Sequence, residues 1–66
     1  MAVKYDKLFD ILKERKMKAV ELQKAAGFSG NIMTRIRRNE YVSLESIEKI
    51  CGVLNCKSND LFDFVE

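Results

Sequence analysis

The sequence has no proline, no histidine and no tryptophan, and only three of its 66 residues are glycine. Because proline and glycine are the residues that most destabilise a helix interior, their scarcity permits helices along most of the chain. Without histidine, the two cysteines have no evident base beside them and fall short of a four-ligand zinc site. A Gly-Lys-Ser/Thr loop for binding phosphate is missing as well. These absences exclude the common catalytic and metal-binding patterns, so we expect no enzyme, no metal and no cofactor.

Long apolar runs are also missing, since no stretch approaches the ~20 residues needed to cross a bilayer. The first residues, 1–6, lack the basic region and apolar run of a secretory signal. Cys51 and Cys56 are therefore expected to be reduced, with a structural or incidental role, and a thiol or metal sensor is the alternative. The apolar fraction of 47% is enough for one core. We expect residues 1–66 to form a single domain of a cytoplasmic protein that binds no membrane.

The net charge is only +2, but the charges are unevenly distributed along the chain. Residues 13–38 contain eight basic residues and two glutamates, which gives a net charge of +6. Residues 39–66 contain six carboxylates and two lysines, which gives a net charge of −4. This segregation favours a basic face that meets an anionic partner and an acidic face that points away from it. Ordinary solvated helix faces are the alternative.

The spacing of apolar residues predicts an all-α protein of five short helices, with no alternating pattern that would indicate a strand. The first helix is expected over residues 4–16 and the second over residues 17–26. Gly27 closes the second helix, because glycine takes the left-handed backbone conformation without a Cβ clash. Ser29 is the expected N-cap of a third helix over about residues 30–38.

Two further helices are predicted in the acidic half of the chain. Ser43 is the expected N-cap of the fourth helix, and Asn55 is its expected left-handed end. The buried stripe of that helix is predicted to contain Leu44, Ile47, Ile50, Cys51 and Leu54. Ser58 is the expected N-cap of a short fifth helix, whose apolar residues are Leu61, Phe62 and Val65.

Residues 17–38 contain the pattern that points most directly to a function. Two short helices joined by a tight turn at Gly27 form a helix-turn-helix arrangement. Packing two such helices requires small residues on the first and apolar residues on the second. Ala26 on the second predicted helix, with Met33 and Ile36 on the third, meets this requirement.

Further motifs lie at fixed distances around this segment. In sequence order they are Gly27-Phe28-Ser29, Met33-Thr34-Arg35-Ile36, Asn39-Glu40-Tyr41-Val42-Ser43, Leu54-Asn55-Cys56 and Asp60-Leu61. Together they resemble the small phage-repressor/Cro-type helix-turn-helix transcriptional regulators over about residues 5–64. The resemblance implies a compact five-helix bundle of the lambda-repressor-like DNA-binding type, with the helix-turn-helix in helices 2 and 3. One departure is Gln23, which stands where that family usually has a small residue packed against the third helix.

The resemblance implies that the second helix lies across the DNA backbone and that the third helix enters the major groove. Helical spacing independently places residues 31, 34, 35 and 38 on one face, opposite Met33 and Ile36. The residues facing the bases would be Gly30, Asn31, Thr34 and Arg35. Phosphate contacts are expected from Lys18, Arg37, Arg38 and Asn39. An ordinary solvated face is the alternative.

The expected partner is therefore double-stranded DNA, and the expected function is sequence-specific transcriptional regulation, in the form of a repressor. We expect a homodimer, because two linked copies bind a two-fold operator more tightly than one. Candidates for the dimer surface, or for a flap over Phe9 and Tyr5, are Phe62, Phe64 and Val65. The chain ends soon after the last predicted helix, so no small-molecule effector domain is expected. The alternative function is a protein-interaction module, such as an antitoxin or co-regulator, on the same fold.

Overall fold

The computed structural model describes residues 2–66, in which four α-helices are flanked by two short strands. The two strands pair antiparallel, with Ala2 opposite Val65, Val3 opposite Phe64 and Lys4 opposite Asp63. The first four predicted helices are confirmed, with ends that differ by a few residues from those expected. In order, the elements are β1 Ala2–Lys4, α1 Asp6–Glu14, α2 Ala19–Ala26, α3 Gly30–Arg37, α4 Leu44–Leu54, a 3₁₀ turn Ser58–Asp60 and β2 Asp63–Val65.

The predicted number of five helices is wrong, although the protein is mostly helical. After α4 the chain forms a single 3₁₀ turn, in which the Asp60 carboxylate accepts a hydrogen bond from the Lys57 N–H at 3.1 Å. The chain then extends into β2, whose partner β1 ends at Lys4, the first residue of the predicted first helix. Three-residue strands are too short to show an alternating pattern. Their pairing joins opposite ends of the chain, so tertiary contact overrides the local apolar spacing.

One apolar core is shared by all four helices and by β1. On α3, Met33 and Ile36 are buried, as predicted from their spacing. Leu44 is a correction, because the periodicity placed it in the buried stripe of α4 and it is 83% exposed. The buried apolar residues are Val3, Tyr5, Leu8, Leu12, Leu22, Met33, Ile36, Ile47, Ile50, Leu54 and Leu61.

Each α-helix is followed by a residue in the left-handed backbone conformation. Gly27 has a φ of 75° and Asn55 has a φ of 53°, so both predicted helix ends are confirmed. Asn39 follows α3 with a φ of 58°, and Lys16 follows α1 with a φ of 56°. Lys16 was not predicted, because lysine has no special tolerance of this conformation. These four positions allow the chain to turn sharply after each α-helix.

Two glycines allow the energetic effect of one such position to be isolated. We expect Gly27→Ala to lower the free energy of unfolding by about 1 kcal/mol, since a Cβ at positive φ is strained even though nothing lies near it. Gly52→Ala is the matched control, because Gly52 lies inside α4 with open space around its Cα. It should raise the same free energy by up to about 1 kcal/mol. Urea denaturation of both variants measures the difference, and equal effects of the same sign would contradict this account.

Candidate nucleic-acid interface

The helix-turn-helix unit consists of α2, the turn at Gly27 and α3. Leu22 of α2 and Met33 and Ile36 of α3 belong to the same buried cluster, which fixes the two helices against each other. Gln23 does not force the helices apart. Its Nε2 lies 3.9 Å from the position that a Cβ on Gly30 would take, which is an ordinary van der Waals distance, so Gln23 lies beside the beginning of α3 without crowding it.

The residues predicted to face DNA bases all lie on the solvent side of α3. Their face is opposite the one that carries Met33, which is 2% exposed, and Ile36, which is fully buried. Ser29 occupies the N-cap position as expected, but its side chain makes no capping hydrogen bond. The four exposed candidates are Gly30, Asn31, Thr34 and Arg35.

Thr34 presents a methyl group and an acceptor rather than a hydrogen-bond donor. Its Oγ1 donates to the backbone oxygen of Gly30, one turn earlier, at 3.0 Å. The hydroxyl proton is therefore used within the helix. What remains for a partner is the methyl group and the oxygen lone pairs, which suits an apolar contact with a thymine methyl.

The arginine side chains on the exposed side of α3 have hydrogen-bond donors that are available to an external partner. No acidic residue lies in α3, and the ion pairs within residues 2–66 are Lys4–Asp6, Lys7–Asp63 and Lys49–Glu45. None of these three pairs involves an arginine. The predicted phosphate-binding residues Lys18, Arg37 and Arg38 are exposed as well, so α3 and its C-terminal end carry uncompensated positive charge.

The beginning of α2 is already capped by a side chain of the protein. The Glu21 carboxylate accepts a hydrogen bond from the Lys18 N–H at 2.9 Å. This bond satisfies one of the amide groups that a helix leaves without a partner at its beginning. The exposed Lys18 ammonium group is also available for a contact with phosphate at this end of α2.

Asn39 has a structural role in addition to its predicted contact with phosphate. Its backbone N–H donates to the backbone oxygen of Ile36 at 3.1 Å, and the N–H of Glu40 donates to the backbone oxygen of Arg35 at 2.9 Å. These two hydrogen bonds form a Schellman motif, which ends α3. Its Oδ1 accepts the Tyr5 N–H at 3.1 Å. A phosphate contact by Asn39 would accordingly use its side-chain NH₂ group.

Comparison with known proteins agrees with this geometry. The family model of the Cro/C1-type helix-turn-helix DNA-binding domain matches residues 7–66. The chain belongs to this family. It is also similar to a solved crystal structure of the transcriptional regulator VanUg, with a TM-score of 0.91 and 39% identity over 94% of this chain and 83% of that one. A comparison with curated protein sequences gives no match. The resemblance drawn from the sequence motifs is thereby confirmed.

In this Cro/C1-type domain, Tyr5 connects the beginning of the chain to the end of α3. Besides the bond from its N–H to Asn39, its hydroxyl donates to the oxygen of Glu40 at 2.7 Å. Burial raises the pKa of Tyr5 above its ordinary value, which keeps the hydroxyl protonated as a donor. Sequence reasoning missed this connection, because the partners lie 34 and 35 residues apart. The left-handed tendency of Asn39 was the local signal that it had a special position.

We expect Tyr5→Phe to lower the free energy of unfolding by about 0.5–1.5 kcal/mol, because it removes the hydrogen bond to Glu40. The phenylalanine keeps the ring and its edge-on contact with Phe62, whose centroid lies 6.2 Å away, so packing is conserved. Thermal or urea unfolding measures the loss. A variant as stable as the wild type would show that the hydroxyl contributes nothing to the link between the chain's beginning and α3.

The cysteines of this domain are free thiols, and each is partly buried. Burial raises the pKa of the Cys56 thiol, which lowers the fraction of reactive thiolate at neutral pH. Across the described residues 2–66, no three side chains of His, Cys, Asp or Glu form a group that could hold a metal ion. In the same stretch, every helix is too short or too polar to span a bilayer.

Proposed function

We propose that this Cro/C1-type domain is a sequence-specific transcriptional repressor that inserts α3 into the major groove of double-stranded DNA and acts as a homodimer. The observation that carries the proposal is the division of α3 into two faces. One face is buried with Met33 and Ile36, and the other presents only polar and basic side chains to solvent. A helix with these two faces is held rigidly by the core while its outer side chains are available to DNA.

The outer side chains have the chemistry that reading base edges requires. Asn31 can bind adenine through two hydrogen bonds, and Arg35 can bind guanine through two hydrogen bonds to N7 and O6. The Thr34 methyl group can contact a thymine methyl. Gly30 has no side chain, so the N-terminal end of α3 can approach the groove closely.

The flanking basic residues would fix the position of the domain on the DNA without reading its sequence. In this proposal Lys18, Arg37 and Arg38 contact phosphates, and the NH₂ group of Asn39 adds a fourth contact. Such contacts release counterions from the DNA, so the affinity they supply falls as salt rises. They determine register and orientation, whereas the base contacts determine specificity.

The test is fluorescence anisotropy of the purified protein with the DNA upstream of its own coding sequence, against scrambled DNA at several salt concentrations. We expect Arg38→Ala to weaken binding to both DNAs alike and to reduce the slope of log affinity against log salt by about 1. Lys57→Ala is the matched control, since it removes an exposed positive charge from the acidic half of the chain. It should leave the slope unchanged.

Equal, weak binding to both DNAs that vanishes as salt rises would contradict the proposal, because it would reveal a basic patch without specificity. The protein-interaction module would then become the better description of the function. A search for a protein partner would follow, with an antitoxin or co-regulator role as the hypothesis.

A further inference from the structure

The two cysteines lie at the end of α4 and have no role in the proposed function. Cys51 is in the last turn of α4, and Cys56 directly follows Asn55, whose left-handed backbone ends the helix. Both thiols are free, and both side chains pack against the edge of the core while remaining partly exposed. The pair therefore lies outside the helix-turn-helix unit.

The turn after α4 holds the backbones of Cys51 and Cys56 close together. The Cys51 oxygen accepts hydrogen bonds from the N–H of Asn55 and from the N–H of Cys56, the second at 3.2 Å. Because a short path between the two Cα atoms runs through that second bond, they lie no more than about 7 Å apart, and the bends of the path shorten this distance. Disulfides join residues whose Cα atoms are roughly 4.4–6.8 Å apart. The backbone thus holds the two cysteines within range of a disulfide.

The side chains of the two cysteines are also neighbours. At a helix end of this kind, the two residues joined by the bond that spans six residues commonly bring their side chains into contact. The pKa of the Cys56 thiol is raised, first by burial and next by the Cys51 thiol, to which it is also hydrogen-bonded. Each sulfur therefore has the other beside it.

Small molecules can reach this pair without any opening of the fold. Cys56 lines a depression of about 390 Å³ that is open to solvent. The other residues that line it are Lys7, Asp10, Ile11 and Asp60. A peroxide molecule is far smaller than this depression, so a solvent-borne oxidant has access to the sulfurs.

We propose that Cys51 and Cys56 are a redox-active pair that hydrogen peroxide converts to an intramolecular disulfide and that a small thiol restores. In the first step a thiolate attacks one peroxide oxygen, the O–O bond breaks, and a sulfenic acid and hydroxide form. In the second step the other thiol attacks the sulfenic sulfur, its S–O bond breaks, and the oxygen leaves as water. Both sulfurs are oxidised and both peroxide oxygens are reduced, so the net products are one disulfide and two water molecules.

The environment of Cys56 assigns it to the second step. The thiolate is the species that attacks, and the raised pKa of Cys56 keeps this thiol protonated at neutral pH. Cys51 therefore takes the oxygen from the peroxide. Cys56, already in contact with Cys51, then displaces that oxygen.

The disulfide closes the turn after α4 covalently and leaves α3 untouched. A cross-link restricts the unfolded chain, and for a loop of this size we expect the midpoint of thermal unfolding to rise by about 5–15 °C. Because neither cysteine lies in α2 or α3, oxidation changes the stability of the domain and not the side chains that it offers to DNA.

The first experiment is oxidation of the folded full chain with a small excess of hydrogen peroxide. We expect the loss of both free thiols and of about 2 Da, the mass of two hydrogen atoms, with a single-chain band on a non-reducing denaturing gel. Dithiothreitol should restore both thiols. Cys56→Ser should stop at a sulfenic acid on Cys51, which dimedone labels, and Cys51→Ser should react more slowly. Circular dichroism verifies that each variant is folded.

The second experiment measures whether the fold itself holds the two thiols together. The chain is equilibrated in mixtures of reduced and oxidised glutathione, once folded and once unfolded in urea. The equilibrium constant for forming the disulfide should be at least about 10-fold larger in the folded protein. The unfolded chain is the matched control, because the two cysteines have the same separation in sequence there.

Several results would overturn the inference: thiols that persist in the wild type, oxidation that joins two chains, oxidation that adds oxygen to each cysteine without forming the disulfide, or equal equilibrium constants in the folded and unfolded chain. None of these measurements involves DNA. The redox pair and the proposed function therefore stand or fall separately.

Discussion

Ile36→Ala should lower the free energy of unfolding by about 2–5 kcal/mol, the largest effect on stability that we expect from a single truncation in α3. The Ile36 side chain is fully buried in the cluster that joins α3 to the rest of the core. Truncation removes apolar contacts and leaves a cavity at this junction. A protein of this size has little stability to lose, so much of the population should be unfolded at moderate temperature.

Urea or thermal unfolding, followed by circular dichroism, measures this change. Arg37→Ala is the control from the adjacent position, because Arg37 is exposed and its replacement should change the free energy of unfolding by less than about 0.5 kcal/mol. A loss below about 1 kcal/mol for Ile36→Ala would mean that α3 is not packed against the core as described.

The second large effect is expected on DNA discrimination. Asn31→Ala and Arg35→Ala should each reduce the preference for the correct base pair at one position by about 1–3 kcal/mol, or roughly 5- to 150-fold. Both side chains are exposed on the outer face of α3, so their removal should leave the fold unchanged. Competition binding against operators with single base-pair substitutions would reveal which position loses its preference.

Arg15→Ala is the control for this experiment, since Arg15 is an exposed arginine at the end of α1, outside the helix-turn-helix unit. It should retain the full base preference. Arg38→Ala should weaken all sequences equally, as expected of a phosphate contact. If the Asn31, Arg35 and Arg38 variants all behaved like the wild type on DNA, the assignment of α3 as the recognition helix would be wrong.

The helix-turn-helix unit was predictable from sequence because its determinants are local. The spacing of Met33 and Ile36 defines the buried face of α3, and the conformational freedom of Gly27 defines the turn before it. Both were confirmed by burial and by a φ of 75°. Asn55 was predictable for the same reason, since asparagine tolerates a left-handed backbone at a helix end.

The rest of the fold depends on contacts between residues that are distant in sequence. Leu61, Phe62 and Val65 have helical spacing, yet after the 3₁₀ turn residues 63–65 are extended and pair with β1. Leu44 has the spacing of a buried residue, yet at the first position of α4 it points into solvent. The bonds from Tyr5 to Asn39 and Glu40 leave no periodic signal at all. Local patterns contain no information on which distant segment will meet them.

The pairing of β1 with β2 has a consequence for the order in which this protein folds. Forming that sheet closes a loop of nearly the whole chain, and the entropy lost on closure grows with loop length. In contrast, α2 and α3 follow each other directly and close a loop of only a few residues. The helix-turn-helix unit can therefore assemble early, while the sheet and the bonds of Tyr5 form late. The C-terminal end of α3 is thus anchored only when distant segments of the folding chain have met.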